Sequence, residues 1–156
     1  IYTAKTTHNF DGTSTVLKDI LVNEKDVPDE YYIDVNELDK WKYLKGAKKE
    51  IRKSTSGFEY NYAEGGMVFP DSIHEPSRTI ITGEGGKSPS RFKHVISTKK
   101  GLRRLVPIEL ERLNMFPDNH TAINGISDAK RAFLMGNALV VGIVERIAET
   151  FSNEVI

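Results

Sequence analysis

The sequence predicts an α+β protein, with a small irregular β-rich unit followed by C-terminal helices. Three observations lead there. Between Glu50 and Ile96, short β-branched and aromatic runs alternate with Gly, Pro and Ser. After Gly101 the apolar residues recur at helical spacing instead. The chain of 156 residues, 38% hydrophobic and 28% charged, has the make-up of a globular protein with room for one core, or for a small domain plus an appendage.

The elements follow in order. The opening residues to Asn9 are polar and carry no structural signal. Thr13-Ser14 is expected to cap a short helix that places Val16, Leu17, Ile20 and Leu21 on one side. A second helix is expected from Asp34 to about Lys45, capped by Asp34, ended by Gly46 and anchored by Leu38, Trp41 and Leu44. Ser56-Gly57 marks a hairpin turn between Glu50–Lys53 and Phe58–Tyr62. Met67–Phe69, Thr79–Thr82 and Phe92–Ile96 read as further short strands. Pro107 suits the first turn of a helix that carries Ile108, Leu110 and Leu113 and ends by Phe116-Pro117. Ser127-Asp128 is expected to cap another. Arg131 and Glu145 enclose an uncharged stretch rich in Phe, Leu, Met, Val and Ile. A helix this apolar must be buried, either in the chain's own core or against protein outside this chain.

Charge excludes little by itself, because the formal net charge is +0. Its distribution is uneven. Acids dominate from Asp19 to Asp39, and basic clusters follow from Lys42 to Lys53 and from Lys87 to Arg104. The absence of cysteine excludes a disulfide scaffold, a zinc–thiolate site and a thiol nucleophile within this chain. No apolar run approaches the roughly 20 residues of a membrane span, and no signal peptide opens the sequence. A first residue of Ile1 suggests a piece of something longer.

Several chemical signals dissolve on inspection. Gly83-Glu84-Gly85-Gly86-Lys87-Ser88 resembles the end of a phosphate-binding loop, but Ile81 stands where the first glycine belongs and Pro89 blocks the following helix. The glycines are expected instead to form a flexible loop that lets the backbone approach a partner. His8, His74, His94 and His120 lack metal-ligand spacing. The Asn119-His120-Thr121 sequon is read as coincidence. As a unit, Pro76–His94 combines glycines, hydroxyls and cations, the groups that contact phosphates and base edges. A solvated loop has the same composition.

Two segments go further. RRLVPIELERLNMFPD, Arg103 to Asp118, resembles the ninth conserved motif of the DNA (cytosine-5)-methyltransferases, near R-x-L-T-P-R-E-x-x-R-L-Q-G-F-P. FLMGNALVVGIVERI, Phe133 to Ile147, resembles the tenth, built on G-N-[SA]-V and an apolar helix. Their order and separation suit that family. Pro76 to Ile96 is similar to the end of the target-recognition region of bacterial members, including a Thr-hydrophobic element at Thr79-Ile80. Val16 to Leu21 looks like the stretch after the eighth motif. Val106 departs from the family's Thr, and Asn114 and Met115 from its Gln and Gly.

The resemblance implies a target-recognition domain over residues 1–100 and a helical segment over 101–156 that packs on a Rossmann-like catalytic domain absent from this chain. It implies S-adenosylmethionine as a cofactor shared with that domain, with Phe116, Gly136, Asn137 and Ala138 near it; a Gly-Asn break before a helix would offer free N–H groups to a carboxylate. It implies double-stranded DNA as partner, with Arg78, Thr79, Ile80, Glu84, Gly85, Gly86, Lys87, Ser88, Ser90, Arg91, Lys93 and Arg103 as candidate contacts, Arg103 and Arg112 alternatively fixing the recognition region to the catalytic domain. The family's glycine-rich cofactor loop, Pro-Cys nucleophile and Glu-Asn-Val acid do not occur here. The expected protein is thus a recognition and cofactor-closing part of a bacterial, cytoplasmic restriction-modification methyltransferase, without methyl transfer of its own. A stand-alone DNA-binding or regulatory module, or an interaction subunit with decayed recognition loops, are the other readings.

Overall fold

The computed structural model describes residues 3–5, 7 and 12–154, with side chains through Phe151. The expectations for His8 and for part of the polar opening lie outside the described residues. Leu17–Ile20 forms a 3-10 turn whose Leu17 and Ile20 enter the core. Its cap is Asp19, whose carboxylate accepts the Val16 N–H at 2.9 Å, in place of the expected Thr13-Ser14. Asp34 caps the next helix as expected, accepting from Asn36 N at 2.8 Å. A 3-10 turn, Val35–Glu37, leads into α1, Leu38–Lys45, and Trp41 is 1% exposed.

The hairpin appears in the expected place. β1, Lys48–Lys53, pairs antiparallel with β2, Glu59–Glu64, in a register that sets Lys53 opposite Glu59. Gly57 takes φ 84 in the turn, where a side chain would be strained. A second pair, β3 (Val95–Ser97) and β4 (Leu102–Arg104), is widened by single bridges to Asp71 and Tyr32.

Two expected strands fail and a third is shortened, each for a visible reason. At Thr79–Thr82 the Ile81 carbonyl accepts Glu84 N at 3.1 Å, so the segment turns while Ile80 enters the core. Met67 N donates to Lys45 O at 2.8 Å rather than to a strand neighbour, and Met67–Phe69 is irregular. Phe92–Ile96 survives only from Val95, because side chains claim the preceding carbonyls. Arg78 donates to Phe92 O at 3.0 Å, and the buried Lys45 ammonium to Lys93 O at 2.5 Å. Strand β4 was not expected; it is too short to alternate legibly.

α2, Pro107–Leu113, starts at Pro107 as read. Val106 provides no side-chain cap, but Glu109 accepts its N–H at 2.9 Å, which keeps half of a capping box. The helix stops before Phe116-Pro117, at Asn114, and Met115 follows at φ 61. The resembled motif carries Gly there; a left-handed non-glycine residue costs about 1–2 kcal/mol. α3, Asp128–Asn137, is capped by Ser127, which accepts from Lys130 N at 3.3 Å. The apolar stretch is not one buried helix. It breaks after Asn137 and resumes as α4, Val141–Glu154. Ile143, Ile147 and Phe151 form an exposed stripe on α4, flanked by exposed Val144 and, before the helix, Leu139.

The main core joins Leu17, Ile20, Ile80 and Ile96 to Leu105, Leu110, Ala132 and Met135, and a smaller one holds Val27, Tyr31 and Val106. The division expected at residue 100 therefore falls inside the β3–β4 hairpin, between parts that share a core. Helices with two small antiparallel sheets make the chain α+β.

Candidate functional site

The 76–94 segment is organised by ion pairs and carbonyl contacts rather than left loose. Arg78 grips Asp71 through Nε at 2.8 Å and Nη2 at 3.1 Å, a bidentate fork. Asp71 also accepts Val95 N at 2.8 Å. Burial pushes its carboxyl up, but Arg78 and the Val95 N–H prevail and hold it below the usual carboxylate range. His94, 0% exposed, meets Glu84 Oε1 through Nδ1 at 3.0 Å and Ser77 Oγ through Nε2 at 3.0 Å, while its backbone N–H donates to the same Glu84 oxygen at 2.6 Å. Lys93 Nζ donates to Gly86 O at 3.0 Å and Ser88 O at 2.7 Å, strapping the glycine loop from beneath. Arg104 adds a donor to Gly86 O at 2.7 Å.

The twelve candidate DNA contacts thus separate into two groups. Arg78, Glu84, Lys93 and Arg103 spend their charged groups within the fold, and Ile80 lies in the core. Arg91 does likewise, pairing with Glu64 at 2.9 Å and donating to the carbonyls of Leu44, Gly46 and Gly65. Thr79, Gly86, Lys87 and Ser88 are exposed, and Gly85 and Ser90 are half-buried. Lys87 pairs with Glu30 at 3.1 Å on the open surface, a contact worth little in water. The loop glycines were expected to admit a partner. Gly85 instead admits this chain's own α3, since a Cβ there would lie 2.7 Å from Ala129 O.

Of the expected cofactor residues, Gly136, Asn137 and Ala138 lie at the end of α3, and Phe116 lies apart from them, after α2. Gly136 and Asn137 belong to the helix, so the break lies at Ala138–Val140 and not at the Gly-Asn pair. Ala138 N is taken by Met135 O at 3.2 Å, and Val141 N by Asn114 O at 2.9 Å, so the free N–H groups reasoned for Gly136–Ala138 are not there. Gly136 has another use: a Cβ on it would stand 2.4 Å from the Ile81 carbonyl carbon and the Thr82 nitrogen. Phe116 packs half-buried on the main core, its ring 4.8 Å from that of His120. A cleft of about 310 Å³ opens where Arg78, Thr79 and Ile80 face Asn114, Gly136, Ala138 and Val140. It brings the expected recognition and cofactor segments to one place. Its size is at the small end of ligand pockets, which span about 300–1,000 Å³.

The segment from Arg103 to Asp118 is welded by buried charge. Arg103, 1% exposed, forks onto Glu109 at 2.7 and 2.8 Å, and Glu109 also accepts Val22 N at 3.1 Å. Glu111 accepts from Thr121 N at 3.0 Å and Arg131 at 2.9 Å, besides the Thr121 hydroxyl. Burial raises its carboxyl, and these donors bring it below the usual range. Arg112 pairs with Asp118 at 2.6 Å and donates to Ile20 O at 3.0 Å. Arg103 and Arg112 therefore fasten parts of this chain to one another. Sequence reading missed Asp71, the anchor of Arg78; a lone Asp after Phe69-Pro70 looks like any turn residue.

No group of three or more His, Cys, Asp or Glu among the described residues could hold a metal, and no described helix is long and apolar enough to cross a membrane.

The Arg103–Glu109 pair lies within R-x-L-x-P-x-E-x-x-R-L, and the Glu111–Arg131 pair ties the same segment to the glycine-bearing α3. The profile of the C-5 cytosine-specific DNA methylases matches residues 2–153, and the chain belongs to that family. It is similar to the type II methyltransferase M.Sau3AI of Staphylococcus aureus, at 44% identity over 124 residues, 80% of this chain. The chain spans 29% of the length of that relative.

Proposed function

We propose that this chain is the target-recognition and cofactor-closing portion of a DNA (cytosine-5)-methyltransferase of the restriction-modification type, acting on double-stranded DNA in the bacterial cytoplasm. The observation that carries this is the cleft in which Thr79-Ile80 meets the end of α3. Family membership supports the reading, and so does the share of M.Sau3AI that the chain spans. Residues 1–100 then serve mainly recognition and 101–156 mainly cofactor closure, a division of labour across one shared core.

The reaction requires a thiolate that adds to C6 of a flipped-out cytosine before C5 accepts the methyl group. The chain has no cysteine, so the thiolate comes from a catalytic part outside it, and methyl transfer needs both. S-adenosylmethionine supplies the electrophilic methyl group when bound. The residues present fit one edge of that ligand: a small cleft with a half-buried aromatic nearby on the core and a helix break at Ala138–Val140. Gly136 and Ala138 shape the wall at its amino-acid end, Asn137 ends the helix between them, and Phe116 packs on the core that Ile80 and Met135 share with the cleft. Exposed Thr79, Gly86, Lys87 and Ser88, with Gly85 and Ser90 beside them, face DNA. Arg78, Glu84, Arg91, Lys93 and Arg103 hold that surface in shape, and Ile80 seats it in the core. The apolar stripe of α4 is covered by the catalytic part.

The test is reconstitution. This chain and the Cys-bearing part, purified separately, are mixed with DNA and isotopically labelled S-adenosylmethionine. Label should enter cytosine C5 only in the mixture. A well-folded complex of the two that methylates no DNA would sink the proposal.

A further inference from the structure

The β1–β2 hairpin lies within residues 1–100 but carries none of the DNA contacts named above. Its pleat divides it into two unlike faces. On one, Lys48, Glu50 and Arg52 stand opposite Glu64, Tyr62 and Tyr60. That face satisfies itself: Lys48 pairs with Glu64 at 2.8 Å, and Arg52 with Glu50 at 2.6 Å while stacking 3.5 Å over the Tyr62 ring. On the other, Lys49, Ile51 and Lys53 stand opposite Ala63, Asn61 and Glu59, and all six are exposed. Ile51 is 69% exposed, an odd place for a large β-branched side chain.

The ribbon is also aimed. Arg91 holds its root through Glu64 and the carbonyls of Gly46 and Gly65, and Lys48 Nζ adds a bond to Leu44 O at 3.0 Å. Two antiparallel strands have the width of the DNA major groove. An aliphatic group suits a thymine methyl and a carboxamide suits an adenine edge; Ile51 and Asn61 are cross-strand partners at the middle of the open face. Lys49 and Lys53 flank them along β1, as phosphate contacts would. The charge agrees, because the open face carries Lys49 and Lys53 against the single acid Glu59. The Lys53–Glu59 pair, 3.0 Å long and open to water, yields readily to a phosphate.

We propose that this open face is a second DNA-reading surface, seated in the major groove of a duplex, with Ile51 and Asn61 toward base edges and Lys49 and Lys53 toward phosphates. The inference rests on the methyltransferase reading above. It is tested in the complete methyltransferase, by binding to a duplex that it methylates and to an unrelated duplex over a range of salt. Lys49→Ala with Lys53→Ala should weaken both duplexes about tenfold and flatten the salt dependence by up to about two in slope. Ile51→Ser with Asn61→Ala should weaken the methylated duplex about tenfold and leave the unrelated one unchanged. Lys25→Ala is the exposed control, and unchanged melting temperatures show that the variants fold. Unchanged affinities in both double variants overturn the inference. So does a loss of assembly with DNA affinity intact, which makes the face a protein interface. If the unsubstituted enzyme binds no duplex, the methyltransferase reading itself fails; if it does and only the variants are silent, the hairpin inference alone falls.

Discussion

Glu109 does three things at once: it receives the Arg103 fork, caps α2 through Val106 N, and holds Val22 N. Breaking a buried pair from one side strands the other charge, at about 3–5 kcal/mol. Glu109→Ala is therefore expected to lower unfolding free energy by that amount, and chemical denaturation measures it; a loss below about 1 kcal/mol would contradict the assigned role. Asp71 and Glu111 make stability depend on pH. Both are held below the usual carboxylate range when folded, so their contribution is present above about pH 4, the unfolded value, and is lost as pH falls through the folded values. Urea titrations between pH 7 and pH 3 should show this acid loss, diminished in Asp71→Asn. Lys45 acts at the other end. Burial lowers its pKa to about 8, against the pull of Asp71, so the folded state releases its proton first and stability should rise with pH from about 8 toward the unfolded lysine value. A Lys45→Met variant should lack that rise. The sequence displayed Arg103 and Glu109 as motif positions but not as a pair, and it marked Arg78 and Arg91 as DNA contacts because a guanidinium bound to a carbonyl and one bound to a phosphate look identical in one dimension.

Among elements, those with strong local signals were legible. Asp34 and Ser127 capped the helices they announce, Pro107 opened its helix, and Ser56-Gly57 turned the hairpin. The short strands around Thr79 and Met67 were not, because tertiary donors and acceptors, not neighbouring strands, take their backbone groups. The helix break was expected at Gly136-Asn137 and falls just after it, over Ala138 to Val140: Ala-Leu-Val contains nothing that stops a helix, and Val141 N turns to the Asn114 carbonyl instead. Gly136 is the most exacting position in α3. An added methyl would meet backbone at 2.4 Å, which cannot swing aside as a side chain can. Gly136→Ala is expected to destabilise by about 1–3 kcal/mol, whereas Gly142→Ala, which meets only the flexible end of Met115, should cost less. Thermal melts of the two variants rank them.

At the scale of the molecule, the sequence anticipated a helix too apolar for so small a protein, and the structure shows which part stays uncovered. Ile143, Ile147 and Phe151 lie along one side of α4, with Val144 beside them, and all are exposed. The chain on its own should therefore self-associate at micromolar concentration, as exposed apolar patches do. Sedimentation should report this, and Ile143→Lys with Ile147→Lys should return a monomer. An unsubstituted chain that stays monomeric would show that the stripe is not sticky.

The seam between Gly136 and the Ile81–Thr82 backbone bears on how such proteins can be recombined. Specificity is often imagined as a cassette that could be cut out and replaced. Here a cassette ending at residue 100 would carry Ile81 and Thr82 away from the helix moulded to them, and would split the β3–β4 hairpin at its turn. Grafts between relatives should stay soluble when the exchanged piece runs from before Leu17 through the end of α3, and precipitate when the junction lies between. What is inherited as a unit is the reading loop together with the helix on which it rests.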